Sequence, residues 1–180
     1  MALPKKNKLP YLLLSLLLTT ACGKSESSHP EFSISETISE TPAEKTAPTV
    51  KTTPTFTEQF MDLVNNHRQS LGLRDLINDD DISQIAQTHS DNMASGKISF
   101  GHSGFSSRCS SAKAAIGGGN LCAENVAKGQ STPAGVFNSW MNSPDHKANI
   151  EQSRFSHSGI AFKKSASGTY YWTHIFIEEN

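Results

Sequence analysis

No apolar run in this 180-residue chain is long enough to cross a bilayer. Spanning takes roughly 20 apolar residues, and the best candidate, Leu9 to Leu18, is broken by Pro10 and Ser15. Charge is sparse as well: only 18% of residues are charged, and the formal net charge is −1. Residues 23–55 carry five Glu against three Lys, and residues 56–180 carry twelve acids against ten bases. Neither segment offers a polybasic surface, which excludes nucleic acid as an expected partner. HExxH, a G-x-S-x-G elbow, a Walker loop and a papain-like cysteine motif are all missing, so those catalytic classes have no sequence support. Gly117-Gly118-Gly119 follows no strand-like run and is not read as a phosphate cradle. Internal repeats are absent too. Cysteine is limited to three residues.

The N-terminus is informative. Lys5, Lys6 and Lys8 precede the short apolar run, the shape of an export signal. Leu18-Thr-Thr-Ala-Cys22 resembles a bacterial lipobox, with Thr19 where Leu is usual. The resemblance implies a lipoprotein signal peptide over 1–21 and acylation of Cys22, palmitate included. An ordinary signal peptide with a chance cysteine is the alternative. If Cys22 carries lipid, Cys109 and Cys122 remain as an even pair. In an oxidising compartment they are expected to bridge, contributing roughly 3 kcal/mol; two free thiols are the alternative. Residues 22–55 are rich in Ser, Thr and Pro and have almost no large apolar side chains. They read as a disordered tether of about 100 Å as polyproline or about 30 Å as a coil. Gly23 is not the Asp that retains lipoproteins at an inner membrane, so an outer membrane is expected where the source has one.

A single domain is expected over 56–180. Phe60, Leu63, Val64, His67 and Leu71 repeat at helical spacing and stop at Gly72. A second helix follows Asp79-Asp80-Asp81, with Ile82, Ile85, Ala86, His89 and Met93 on one stripe and Gly96 as its stop. Ser99 to Asn120 reads as loop. Thr132-Pro133 and Ser143-Pro144 each open a helix, as N-cap followed by Pro at the first helical position. Ser158–Lys163 and Thr169–Ile177 read as a hairpin around Ser-Ala-Ser-Gly. Helices followed by a terminal hairpin indicate an α+β fold.

Six histidines lie in this domain. His67 and His89 sit in apolar stripes and are read as hydrogen-bonded core or boundary residues, and His157 as a surface residue. His174, on the Trp172 and Phe176 side of its run, either packs or points into a cleft. His102 lies in the aperiodic Phe100-Gly101-His102-Ser103. His146 takes the place, three residues after its cap, where a capping box has Glu or Gln. A helix N-terminus disfavours an imidazolium, which suits a neutral ligand or base. Glu124, in Ala123-Glu124-Asn125-Val126-Ala127, is a lone carboxylate that would be costly to bury without a partner.

Residues 56–180 resemble the CAP superfamily (cysteine-rich secretory, antigen 5 and pathogenesis-related 1 proteins; SCP-like), in particular its bacterial single-domain branch. The pieces run in order: Asn65, Arg68, Gly72 and Leu76; Ala86, His89 and Met93; Phe100 to Ser103; Ala123 to Ala127; Trp140 to Ile150; Gly159 to Ala161; Tyr171 to Phe176. The resemblance implies an α-β-α sandwich around a small antiparallel sheet. It also implies a cleft in which His102, Glu124 and His146 hold a divalent cation such as zinc, and, in some members, a lipidic ligand. Ser143 stands where eukaryotic members carry a second glutamate. Asp145 replaces a glycine and His174 a frequent glutamine, making both candidate extra ligands. Ala123 replaces a glycine. Three readings stay open: an envelope-anchored binding module for a cation and a small or lipidic ligand; a hydrolase using a metal-activated water or Glu124 as general base; and a purely structural cluster.

Overall fold

The computed structural model describes residues 53–180; the signal, Cys22 and most of the tether lie outside the described residues. Among the described residues there are five helices: α1 Phe56–Ser70, α2 Asp80–Ala94, α3 Phe105–Ala115, α4 Pro133–Met141 and α5 Pro144–Glu151. Four strands, β1 Ile77–Asn78, β2 Cys122–Lys128, β3 His157–Lys164 and β4 Tyr170–Ile177, form one sheet in the order β1-β3-β4-β2. Among the described residues no helix is long and apolar enough to cross a membrane.

Local chemistry sets most of the helix starts. Thr55 and Glu58 close a capping box on α1, Asp79 accepts the Ile82 N–H at 2.9 Å, and Thr132 accepts that of Gly135 ahead of α4. Each satisfies a donor that the first helical turn leaves orphaned. The β3–β4 hairpin closes where expected, with Gly168 at φ 88° and the Ser165 N–H on the Thr169 carbonyl.

Alternate residues of β4 enter different cores, as the two-residue period of a strand requires. Trp172 and Phe176 pack with Phe60, Val64, Val136, Trp140 and Ile150 from α1, α4 and α5. Ile175 and Ile177 pack with Ile82, Ala86 and Ala112 from α2 and α3. Helices therefore cover both sheet faces, and the α-β-α sandwich expected from the sequence is present.

Three details differ from the sequence reading. The sheet is mixed rather than antiparallel, because Ile77 and Asn78 pair in parallel with His157 and Ser158; a two-residue strand carries no alternation to read. The expected loop 99–120 contains α3, which buries only Ala112 and so has no apolar stripe. What holds α3 is a Cys109–Cys122 disulfide to the start of β2, its Cα atoms 6.0 Å apart. The buried face of α1 is Phe60, Met61, Val64 and Arg68, while Leu71 is exposed. A guanidinium, invisible to an apolar count, turns that helix.

Arg68 is fully buried. It donates through Nη1 to the Ile150 and Gln152 carbonyls (2.7 and 3.0 Å), through Nη2 to Phe155 O (3.2 Å) and through Nε to Arg74 O (2.9 Å). Asn65 grips both backbone polar groups of Leu76.

Gly159 pairs with Ile175, on the α2 side of the sheet. A Cβ there would run into the Ile82 and Ser83 backbone. Gly159→Ala is expected to destabilise the domain by about 1–3 kcal/mol, the usual range for overpacking, measured by urea unfolding; an unchanged midpoint would mean that α2 can lift off β3.

Candidate functional site: a carboxylate, a guanidinium and two histidines

Glu124 and Asn125 are neighbours on the edge strand β2, so their side chains leave opposite faces. Glu124 pairs with Ile175 and faces α2 and α3; Asn125 pairs with His174 and faces α1, α4 and α5. This divergence assembles the site from two sides.

On the first side the Glu124 carboxylate is only 1% exposed, and both oxygens are engaged. Oε1 accepts from His102 Nδ1 (2.9 Å) and Arg108 Nη2 (2.8 Å), while Oε2 accepts from Arg108 Nε (2.7 Å). This fork-to-fork pairing is the strongest ion-pair geometry side chains offer. Arg108 Nη1 also donates to Ser103 O (2.7 Å), and His89 Nε2–H donates to Gly101 O (2.8 Å). The loop is thus pinned on both sides of His102. A carboxylate only accepts, so His102 carries a proton on Nδ1, and in its neutral form the lone pair lies on Nε2; its side chain is 51% exposed. Burial holds His89 below the usual histidine range, so it stays neutral at pH 7.

On the second side α5 presents His146. The Ser143 hydroxyl makes no backbone cap and instead bonds His146 Nδ1 at 2.9 Å. The imidazole has replaced the capping-box carboxyl. Asn125 fixes this helix by donating to His146 O (2.9 Å) and accepting from Asn149 Nδ2 (2.8 Å). Burial lowers the His146 pKa, and a positive charge on His102 would lower it further. Beside the guanidinium, a cavity of about 410 Å³ lies between α2 and α3, lined by Ile85, His89, Ile98, Ser107 and Arg108 among others.

The remaining candidates fall elsewhere. His174 is in the core on the sheet face opposite Glu124, the one α5 covers, 0% exposed, with ring centroids 5.2 Å from Phe60 and 4.0 Å from Phe176. It packs and is not an extra cleft ligand. Asp145 is exposed in the first turn of α5, where its charge favours protonated His146. His67 bonds Glu151 at 2.8 Å, in the structural role expected of it. The functional residue the sequence hid is Arg108: it lies sixteen residues from Glu124 in an aperiodic stretch, and only the demand of a buried carboxylate for a partner hinted at it.

Among the described residues no three His, Cys, Asp or Glu are arranged to hold a metal ion. The donor chemistry says why Glu124 does not fit as a ligand: three hydrogen bonds occupy most of its lone pairs and its charge is matched by a guanidinium. The same saturation unsuits it as a general base. The two imidazoles do have the chemistry of ligands.

Fold and site together describe a sandwich whose edge strand β2 holds the His102 loop through Glu124 and the helix of His146 through Asn125, stapled by a disulfide of the kind formed on export. Residues 61–176 match the model of the Cysteine-rich secretory protein family (CAP), and the chain belongs to that family. It is 34% identical over 124 residues to the uncharacterized protein YkwD of Bacillus subtilis (strain 168), covering 68% of this chain and 47% of that one. An extracellular protein containing a SCP domain from Bacillus anthracis str. Ames is similar at 25% identity and a TM-score of 0.59, over 69% of this chain and 40% of that one. This chain therefore spans less than half of either relative's length. An outer surface protein from Borrelia burgdorferi shares the fold, with 21% identity and a TM-score of 0.59 over 69% and 96% of the two chains.

Neither ring nitrogen of His174 has a hydrogen-bond partner. Burial, then the charge of Arg68, lowers its pKa to about 3. The unfolded chain binds that proton near pH 6.5, so between about pH 6.5 and 3 it holds more protons than the folded one. Stability should fall with pH through that window by up to about 1.4 kcal/mol per unit. In denaturant titrations from pH 7 to 4, His174→Phe is expected to flatten the slope; an unaltered slope would assign the acid sensitivity to other groups.

Proposed function

We propose that this chain is an exported CAP module, tethered to the cell envelope by lipid on Cys22, that binds a ligand at the His102–His146 cleft. The observation carrying this reading is the His102 contact with Glu124. It fixes the ring's tautomer and leaves a half-exposed imidazole lone pair at Nε2. His146, kept neutral by burial, offers a second imidazole whose Ser143 partner can donate or accept. A divalent cation, zinc in particular, would be held by these two nitrogens and by solvent, with Glu124 orienting His102 from behind. The cavity beside Arg108 suits a small or partly apolar ligand, its size falling within the usual range of such sites.

Hydrolysis is the second reading, and the same contact favours it: a carboxylate behind an imidazole is the pairing that orients a general base. In that reading His102, not Glu124, takes the proton.

The test is zinc titration calorimetry on the full mature chain, together with cell fractionation. One-to-one binding weakened at least tenfold by His102→Ala and by His146→Ala is expected. Cys22→Ala is expected to move the chain from the membrane fraction to the soluble one. Binding indifferent to both histidines would sink the cleft assignment, and an unmoved Cys22 variant the anchor.

A further inference from the structure

The pairing of Arg108 with Glu124 does more than stabilise a loop. A dication approaching Glu124 would meet a guanidinium within 2.8 Å of both oxygens, whose positive charge opposes a second cation at the same carboxylate. Displacing Arg108 is hindered on every side. Its side chain is only 13% exposed, its third nitrogen is held by Ser103 O, and its neighbour Cys109 is bonded to Cys122, two residues before Glu124. The guanidinium, the disulfide and the carboxylate form one rigid junction. We infer that Arg108 is a built-in cation which occupies the cleft carboxylate and thereby sets the cleft's specificity, limiting any divalent ion to the two imidazoles.

This deepens the cleft reading above and rests on it for the role of the histidines. Two consequences follow from the charges. With Arg108 in place, Glu124 acts only as the orienting partner of His102, and the imidazoles are left to meet the ligand. With Arg108 replaced by a neutral side chain, Glu124 loses the partner that matches its charge, and by giving up its bond to His102 Nδ1 for the metal it would complete, with His102 and His146, the two-imidazole, one-carboxylate set that zinc favours with a fourth position open.

The experiment compares the full chain with Arg108→Gln and the double variant Arg108→Gln/Glu124→Gln, each checked for folding by thermal unfolding. The probe is Co(II) or zinc alone, read by calorimetry and by the visible absorption of cobalt. Arg108→Gln is expected to bind at least tenfold more tightly than the parent and to acquire the intense bands of four-coordinate cobalt, both lost in the double variant. In the parent, the ¹³C carboxylate resonance of Glu124 is expected to stay unmoved on zinc addition. A parent that binds tightly through Glu124, with that resonance shifted, overturns the inference, as does a folded Arg108→Gln protein that binds no better. If the parent fails to bind while Arg108→Gln binds through Glu124, the inference stands and the two-imidazole reading of the native cleft falls. If Arg108→Gln does not fold, the resonance measurement on the parent decides alone.

Discussion

The Arg68 guanidinium is the interaction on which the rest of the domain depends. Its partners are four backbone carbonyls, one before β1, one inside α5 and two beyond the end of α5. The last carbonyls of any helix lack intrahelical partners, and a cation is favoured at that end by the helix dipole. One side chain on α1 thus ends the helix that carries His146 and positions the chain that enters β3. Hydrogen bonds to charged groups contribute about 1.5–3 kcal/mol each, so this single contact is comparable in size to the net stability of a domain.

From that anchor the site is built by divergence on one strand. Asn125 takes hold of α5 from one face of β2, and Glu124 takes hold of the His102 loop from the other. Neither histidine comes from an element with a large apolar face of its own: α5 buries only Ile150, and the His102 loop is held by His89 and Arg108. Polar contacts, not hydrophobic burial, set the cleft's geometry. That explains why so many polar side chains (Arg68, His89, Glu124, Asn125) lie buried in a domain of this size.

Buried ion pairs add little net stability over apolar substitutes of similar size, and breaking one by removing a partner is strongly destabilising. The Arg108–Glu124 pair therefore counts for placing the His102 loop and α3 more than for net stability. It fixes which atoms face outward. α3 is the matching case at the level of secondary structure: it has almost no core contact of its own and is positioned by this pair and by the disulfide.

Local chemistry was legible where the chain repeats or punctuates itself. The stripe of α2, the Thr132-Pro133 and Ser143-Pro144 starts, the terminal hairpin and the Cys109–Cys122 pair all follow from spacing, capping and cysteine count. The collinear motifs carried the family and pointed to His102, Glu124 and His146. Tertiary structure alone decided what surrounds them. Arg108 reaches Glu124 across sixteen residues with no periodicity linking them, and β1 exists only because β3 passes beside Ile77. His174 lies in the core because β4 alternates, which assigns it to the face opposite Glu124. Sequence determines contacts made within one turn or one strand period; which buried charge meets which partner depends on elements brought together by the whole core.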